Sequence, residues 1–325
     1  MRRSKRILAL LAALVCLLSV SVQAAGSINL TRAPALTLSY QSGRTPLSGA
    51  KFSLYRVADA DETGQLRVRS EFDAFDLDIR GKNDSAWRKM AQTLESYVLR
   101  NDMTPEDSGK TNKNGELSFP TDGKTLRAGL YLVIGAWHEQ GGYYYDAEPF
   151  LVMLPTQDMD ENEWVYDVEA SVKYDRTPVP DEPETITRKV LKVWDDDGYE
   201  DERPQEITVD LLKNGKVYDT VKLNRKNNWR YTWDDLDASA RWTVSERTAE
   251  GYAVTITREG ITFVVTNTRR PDRMPPKEPD TPARPSQPGR PSLPQTGAVW
   301  WPVEAMAALG LVFLIVGALD RKRSV

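Results

Sequence analysis

ITFVVTN, at residues 261–267, is a run of β-branched and aromatic residues that favours an extended strand. Similar runs precede it at intervals of roughly 8–12 residues, with Asp, Asn and Gly turns between them. They are VLKVW (190–194), ITVDLL (207–212), the run near 217–223, WRYTW (229–233), RWTVSE (241–246) and YAVTI (252–256). Short strands at this spacing predict a β-sandwich over residues 188–270.

Residues 25–176 also predict mainly strands, from LTLSY (36–40) to WVYDVEASV (164–172). One segment differs, because apolar residues in SAWRKMAQTLESYVLR (85–100) recur at the spacing of an amphipathic helix. The predicted fold class is therefore all-β, with two tandem β-sandwich domains of Ig-like type, the first carrying one inserted amphipathic helix. We expect this helix to pack on one edge of the first sandwich; the alternative is a helix that binds a partner.

Two proline-rich segments divide the chain. Residues 177–187 form the first, which we interpret as a linker between the sandwiches. Residues 271–292 form the second, which cannot bury a core and predicts an extended, semi-rigid linker.

The beginning of the chain is basic and is followed by an apolar stretch and then by small residues. This order predicts a secretory signal peptide over residues 1–24, with cleavage between Ala24 and Ala25. The only cysteine, Cys16, lies within that segment. The exported protein would therefore have neither disulfides nor cysteine nucleophiles nor thiolate metal sites.

Residues 293–325 begin with LPQTG, namely Leu293, Pro294, Gln295, Thr296 and Gly297. An apolar run long enough for a transmembrane helix follows, and then a basic tail. This unit resembles the sorting signal of sortase-anchored surface proteins of Gram-positive bacteria. The resemblance implies that a sortase cleaves between Thr296 and Gly297, and that Thr296 is then amidated by a peptidoglycan precursor or another pilin subunit. The chain would contact the membrane only before sorting, and residues 271–292 would then form a wall-spanning linker.

Residues 188–270 resemble a Cna B-type domain, through KVWDDD (192–197), RPQEITVDLLKNG (203–215), NNWRYTWDDL (227–236), WTVSE (242–246), GY (251–252) and FVVTNT (263–268). The resemblance implies an intramolecular isopeptide bond between Lys192 and Asn267, with Glu246 as proton shuttle. Alternation along the strands supports this, because each of the three shares a strand face with apolar neighbours and is predicted to point into the core. The alternative is a Lys–Glu pair at the sheet edge.

The N-terminal domain, residues 25–176, is similar to the N-terminal domain of sortase-assembled pilins, through PLSGAKFSLYRVA (46–58), LRAGLYLVIG (126–135) and EPFLVMLPT (148–156). Major pilins carry an acceptor lysine in a Tyr-Pro-Lys segment, and the matching lysine is Lys173. The Tyr and Pro are absent here, so Lys173 is either an acceptor or an ordinary exposed lysine. Ser39 stands where related domains place an isopeptide lysine, and we expect no internal cross-link in this domain.

Other clusters give weaker indications. The acidic stretch at 195–202 lacks the ligand spacing of a calcium loop and predicts a solvated turn. His138 has no second histidine for a catalytic or metal cluster, and a net charge of −4 argues against nucleic acid as a partner. Trp137 with the tyrosines at 143–145 forms either part of the core or an aromatic ligand surface. We expect no metal, no cofactor and no enzyme activity.

Together these features predict a secreted, cell-wall-anchored surface protein of a Gram-positive bacterium, which is a sortase substrate and an accessory or terminal pilin subunit. The alternative is an adhesin that binds host extracellular matrix or carbohydrate through its N-terminal domain.

Overall fold

The computed structural model describes residues 26–73, 75, 83–158, 163–247 and 251–270. Strands dominate these residues and form two β-sandwiches, each with its own apolar core, which confirms the predicted fold class. The predicted signal peptide (1–24), wall-spanning linker (271–292) and sorting signal (293–325) lie outside the described residues. No helix within the described ranges is both long enough and apolar enough to cross a membrane.

Among its described residues, the N-terminal sandwich has one α-helix, α1 (Asp84–Arg100). Its strands are β1 (Ala35–Ser39), β2 (Gln41–Ser42), β3 (Thr45–Pro46), β4 (Lys51–Ala60), β5 (Leu66–Val68), β6 (Asp107–Lys110), β7 (Glu116–Phe119), β8 (Gly129–Gly135), β9 (His138–Gln140), β10 (Tyr143–Ala147), β11 (Phe150–Leu154), β12 (Thr156–Asp158), β13 (Glu163–Val165), β14 (Asp167–Ser171) and β15 (Tyr174–Pro178).

Strand β8 lies at the centre of the N-terminal sandwich, in a sheet with the order β11-β8-β4-β5. All its residues are buried. Tyr131 and Val133 join the core between this sheet and the sheet β14-β1-β7, whereas Leu130 and Leu132 join a second apolar cluster under α1. A strand covered on both faces needs a nearly continuous apolar sequence, and β8 has one.

Helix α1 begins at an effective cap, because the side chain of Asn83 accepts a hydrogen bond from the Ala86 amide at 3.0 Å. The apolar stripe predicted from its spacing is buried against the β8 sheet, with Ala91, Leu94 and Val98 at its centre. The prediction of one amphipathic helix on the first sandwich is therefore confirmed.

The C-terminal sandwich is built from two sheets, with the orders β19-β16-β22-β21 and β18-β17-β20. Its strands are β16 (Thr185–Asp195), β17 (Glu206–Lys213), β18 (Lys216–Asn224), β19 (Arg230–Asp237), β20 (Trp242–Glu246), β21 (Tyr252–Glu259) and β22 (Thr262–Arg269). Both sandwiches belong to one compact unit.

The first and last strands of the C-terminal sandwich, β16 and β22, are parallel neighbours. In their register, Lys192 lies opposite Val265 and Trp194 lies opposite Asn267. Strands β20 and β21 form the edges of the two sheets.

The predicted linker at 177–187 has strand residues at both ends. Thr177 and Pro178 pair with the edge of β10, and the first strand of the C-terminal sandwich already begins at Thr185. Pro178 is tolerated there because β15 is an edge strand, which pairs only with β10. Proline has no amide donor, and on the unpaired side of β15 no neighbouring strand needs one.

Candidate functional site

Three polar side chains meet in the core of the C-terminal sandwich. The side chains of Lys192 and Glu246 are 0% exposed, and Asn267 is equally buried. Lys192 Nζ lies 3.5 Å from Glu246 Oε2, and Asn267 Nδ2 donates a hydrogen bond to Glu246 Oε1 at 2.7 Å. The structure thus brings together the three residues that the Cna B-type resemblance implies and that strand alternation places in the core.

The two sheets position these groups from opposite sides. Lys192 lies on β16 and Asn267 on the adjacent β22, while Glu246 ends β20 in the other sheet. Lys192 Nζ also donates to the carbonyl oxygens of Val193 and Val265, at 3.1 and 3.2 Å. These contacts hold the amine beside the last strand, between the sheets.

Burial shifts both ionisable groups toward their uncharged forms. It lowers the pKa of Lys192 to about 8, although the Glu246 carboxylate opposes that shift. Burial likewise raises the pKa of Glu246, against the opposing effects of Lys192 and Asn267. A neutral amine beside a protonated carboxylic acid is the state in which a lysine acts as a nucleophile.

Asn267 Oδ1 has no hydrogen-bond partner among the described residues, whereas Glu246 Oε2 has the 3.5 Å contact with Lys192 Nζ. Leaving a buried polar atom unpaired costs about 1–3 kcal/mol. The side chains of Lys192 and Glu246 are both shielded from solvent.

Trp194 forms one wall of the site. Its ring centroid lies 4.4 Å from Lys192 Nζ. The ring also packs edge-on against that of Tyr252, with 5.1 Å between the two centroids. Behind it, Asp196 is buried and accepts hydrogen bonds from Arg203 Nε at 2.9 Å and from the Tyr252 hydroxyl at 3.1 Å. The prediction of a solvated turn is therefore wrong at Asp196, because Arg203 and Tyr252 reach it through the fold.

The acidic residues that follow Asp196 in this stretch, 197–202, are exposed, as predicted. Among the described residues, no group of His, Cys, Asp and Glu side chains is arranged to hold a metal ion.

Helix α1 contributes a second set of polar contacts, which join it to the C-terminal sandwich. Thr93 Oγ1 accepts a hydrogen bond from the Ile256 amide at 2.9 Å. Arg100 Nε donates to Asp210 Oδ2 at 2.6 Å, and Arg241 Nη1 lies 3.0 Å from Glu95 Oε1. Sequence reasoning missed these residues, since helical periodicity reports the apolar stripe and not a polar face that becomes buried by docking.

Lys173, the predicted acceptor, is exposed between β14 and β15. It lies at the rim of a groove of about 460 Å³ whose lining includes Trp87, Phe150 and Met153. The structure does not bring Lys173 near the Lys192 site, which belongs to the other sandwich.

The aromatic residues near β10 are used mainly for packing. Tyr145 lies in the N-terminal core, and Tyr144 stacks on Trp137 at 5.2 Å. Trp137 Nε1 donates to the Ser239 carbonyl of the C-terminal sandwich at 3.0 Å. His138 is half-buried, with Nε2 3.3 Å from Gln140 Oε1.

Two protein families match this chain, one for each sandwich. Residues 30–170 match the family described as Gram-positive pilin subunit D1, N-terminal domain. Residues 188–268 match the Cna protein B-type domain. The resemblances of the two sandwiches to a Cna B-type domain and a pilin domain are thereby confirmed, and they support a cell-surface protein of pilin or adhesin type.

Among characterised proteins, a collagen adhesin of Staphylococcus aureus is 34% identical to this chain over 120 residues. That alignment covers 30% of this chain and 10% of the adhesin, so the chain spans about a tenth of its relative's length.

Two solved structures are also similar. A single B repeat unit of the collagen-binding surface protein of Staphylococcus aureus is 19% identical, with 74% of this chain and 99% of that chain covered and a TM-score of 0.26. The full-length major pilin SpaD of Corynebacterium diphtheriae is 18% identical, with coverages of 74% and 65% and a TM-score of 0.30.

Proposed function

We propose that this pilin-like chain, which joins a pilin D1 domain to a Cna B-type domain, is a cell-wall-anchored surface protein of a Gram-positive bacterium. In this proposal it is an accessory or terminal pilin subunit, attached by a sortase through Thr296. An isopeptide bond between Lys192 and Asn267 stabilises its C-terminal sandwich. The observation that carries the cross-link is the buried contact of Glu246 with both of these residues.

The reaction needs only groups that are present in the site. Neutral Lys192 Nζ attacks Asn267 Cγ, the Nζ–Cγ bond forms, and the Cγ–Nδ2 bond breaks. Protonated Glu246 gives its proton to the departing Nδ2 and regains one from the attacking amine, so that Nδ2 leaves as ammonia. If the Asn267 amide rotates by half a turn, Oδ1 takes the place of Nδ2 beside Glu246. Protonated Glu246 can then donate a hydrogen bond to Oδ1, which polarises the amide carbonyl.

Intact mass spectrometry of residues 25–292 tests the cross-link. The measured mass should fall short of the calculated mass by one ammonia. Lys192→Ala and Asn267→Ala should each restore the calculated mass for their sequence. Lys189→Ala, on the exposed face of the same strand, is the matched control and should keep the shortfall. An unshifted wild-type mass would contradict the proposed cross-link.

Attachment through Thr296 is tested in a Gram-positive host that carries the matching sortase. Thr296→Ala should release the chain from wall-linked, high-molecular-weight ladders on a denaturing gel. Lys173→Ala distinguishes a terminal subunit from a shaft subunit of a polymer. A terminal subunit keeps its attachment after this change, whereas a shaft subunit loses the ladder above it.

The second candidate function is an adhesin, which the 34% identity to a collagen adhesin favours. Saturable binding of residues 25–292 to immobilised collagen or another matrix component would support it. Ladder formation without any such binding would favour the pilin subunit alone.

A further inference from the structure

The C-terminal sandwich is open along one side, where β20 and β21 form the edges of its two sheets. Edge strands present backbone groups that are not used by a neighbouring strand. Here α1 of the N-terminal sandwich covers both edges. The amide of Ile256, on β21, donates to Thr93 Oγ1 at 2.9 Å, and the same hydroxyl donates to the Lys89 carbonyl at 2.8 Å. One helix of the first domain therefore closes the second domain.

One end of β20 is held directly by α1. Arg241 immediately precedes β20, and its side chain is 11% exposed. Its guanidinium contacts both carboxylate oxygens of Glu95, at 3.0 and 3.1 Å, and also the carboxylate of Asp146. Burial alone would lower the pKa of Arg241, but these two carboxylates outweigh it and raise the pKa. The guanidinium is thus charged and sealed from water between the sandwiches, and it opposes the rise that burial causes in the pKa of Glu95.

The other end of β20 is held through an intermediate residue. Arg247 follows β20 and donates to Asp210 from Nε at 3.2 Å and from Nη2 at 3.1 Å. Arg100, in the last turn of α1, donates to the same carboxylate at 2.6 Å. Burial would raise the pKa of Asp210, but hydrogen bonds from Arg247, Thr220 and Arg100 hold it below its usual range. Asp210 is therefore ionised and links β20 to the helix.

Glu246 is the last residue of β20, between these two attachments. We infer that α1 is a positioning element for the cross-link, because its contacts with β20 and β21 hold Glu246 against Lys192 and Asn267 and exclude water. This inference rests on the proposed isopeptide reaction. None of the helix residues touches a reacting atom, so Thr93, Glu95 and Arg100 act through the strands. The cross-link then forms only after the N-terminal sandwich has docked.

The rate of cross-linking tests this inference in residues 25–292. Protein made by cell-free translation is sampled into acidic denaturant at successive times, and the fraction lacking one ammonia is read by intact mass. Thr93→Val keeps the volume of the side chain but removes the hydroxyl, and Arg100→Ala removes the link to Asp210. Each should slow the reaction about tenfold, equivalent to about 1.4 kcal/mol in the barrier.

Two matched variants control for the substitutions. Thr93→Ser keeps the hydroxyl and should restore the wild-type rate. Arg88→Ala should leave the rate unchanged. Arg88 lies on the same helix, but its Nε is 3.8 Å from the carboxylate of Glu148, which belongs to the N-terminal sandwich. If Thr93→Val fails to fold, Arg100→Ala carries the same test, because Asp210 then still has Arg247 as a partner.

The pH profile separates positioning from a simple loss of stability. The reactive state holds one proton between Lys192 and Glu246, so the wild-type rate should fall at low and at high pH. The other charged groups near Lys192 are Asp196 and Arg203, which bind each other. In Thr93→Val and Arg100→Ala, water would relax both pKa shifts toward ordinary values. The plateau of the profile should then be lower and its two limbs farther apart.

The outcomes distinguish the inference from the function on which it rests. Wild-type rates and profiles in both variants would overturn the positioning role and leave the cross-link intact. Slowed rates with a widened profile, rescued in Thr93→Ser, support it. A wild-type protein without the mass shift would remove the proposed reaction and, with it, the role of the helix.

Discussion

At the scale of single residues, Gly115 illustrates how tightly the N-terminal sandwich is built. It lies in the turn before β7 with φ of +76°, a conformation that favours glycine. A Cβ added there would lie 2.4 Å from the Tyr40 carbonyl oxygen and 3.2 Å from the Leu47 amide nitrogen. The Tyr40 amide in turn donates to the Gly115 carbonyl at 2.8 Å. The position therefore demands glycine for its conformation and also for its lack of a side chain.

Gly115→Ala should be much more destabilising than Gly123→Ala, and urea unfolding of the two variants measures the difference. Gly123 has φ of +77° and nothing within 4 Å of an added Cβ, so it reports the conformational strain alone, about 1–2 kcal/mol. Gly115→Ala adds overpacking against backbone, about 1–3 kcal/mol more. Equal losses in the two variants would mean that the turn moves away from Tyr40 without resistance.

The sequence predicts residue positions well where they follow strand alternation. Glu246 shares its face with Trp242 and Val244, and all three are buried. It predicts poorly where a side chain is satisfied by a distant partner. Nothing local to Asp196 indicates Arg203 or Tyr252, and the acidic composition of its neighbours favours the solvated interpretation that the structure corrects.

At the scale of elements, α1 has two functions on two faces. Its apolar stripe packs on the β8 sheet, and that face follows from helical periodicity. Its polar face carries Thr93, Glu95 and Ser96, which are as buried as the apolar stripe. Periodicity assigns such residues to solvent, so only the docked second sandwich explains their burial.

Arg241→Ala should test the weight of this docking. It leaves Glu95 buried without its cation, and breaking a buried pair in this way costs about 3–5 kcal/mol. Arg32→Ala is the control, because the Arg32–Asp167 pair is 56% and 82% exposed and such pairs contribute at most about 1 kcal/mol. Urea unfolding compares the two variants. A loss as small for Arg241→Ala as for Arg32→Ala would contradict the docking described above.

At the scale of the whole molecule, buried carboxylates couple both sandwiches to pH. Burial would raise the pKa of Asp107, but hydrogen bonds led by those from Thr121 lower it. A hydrogen bond from Arg203 lowers the pKa of Asp196. The pKa of Asp210 is also lowered, because its hydrogen bonds outweigh the effect of burial. The two-sandwich architecture follows from strand spacing, whereas these cross-fold contacts depend on three-dimensional packing that no local pattern in the sequence encodes.

The melting temperature should therefore fall in acid. A carboxylate whose folded pKa is lowered contributes its full stabilisation above the unfolded pKa, about 3.9, and loses it as pH falls through the folded value. From these lowered pKa values we expect a steep decline of the melting temperature below about pH 4. Asp196→Asn should flatten this decline. An unchanged slope in that variant would show that the Asp196–Arg203 contact does not differ between the folded and unfolded chains.

The parallel pairing of β16 with β22 has a mechanical consequence. Tension between the linker before Thr185 and the chain beyond Arg269 pulls the two neighbours in opposite directions along their length. The ladder is then loaded in shear, so its hydrogen bonds resist together instead of opening one at a time. With the proposed bond in place, force entering near the end of β22 crosses from Asn267 to Lys192. The loop of chain from 193 to 266, most of the sandwich, would bear no tension at all.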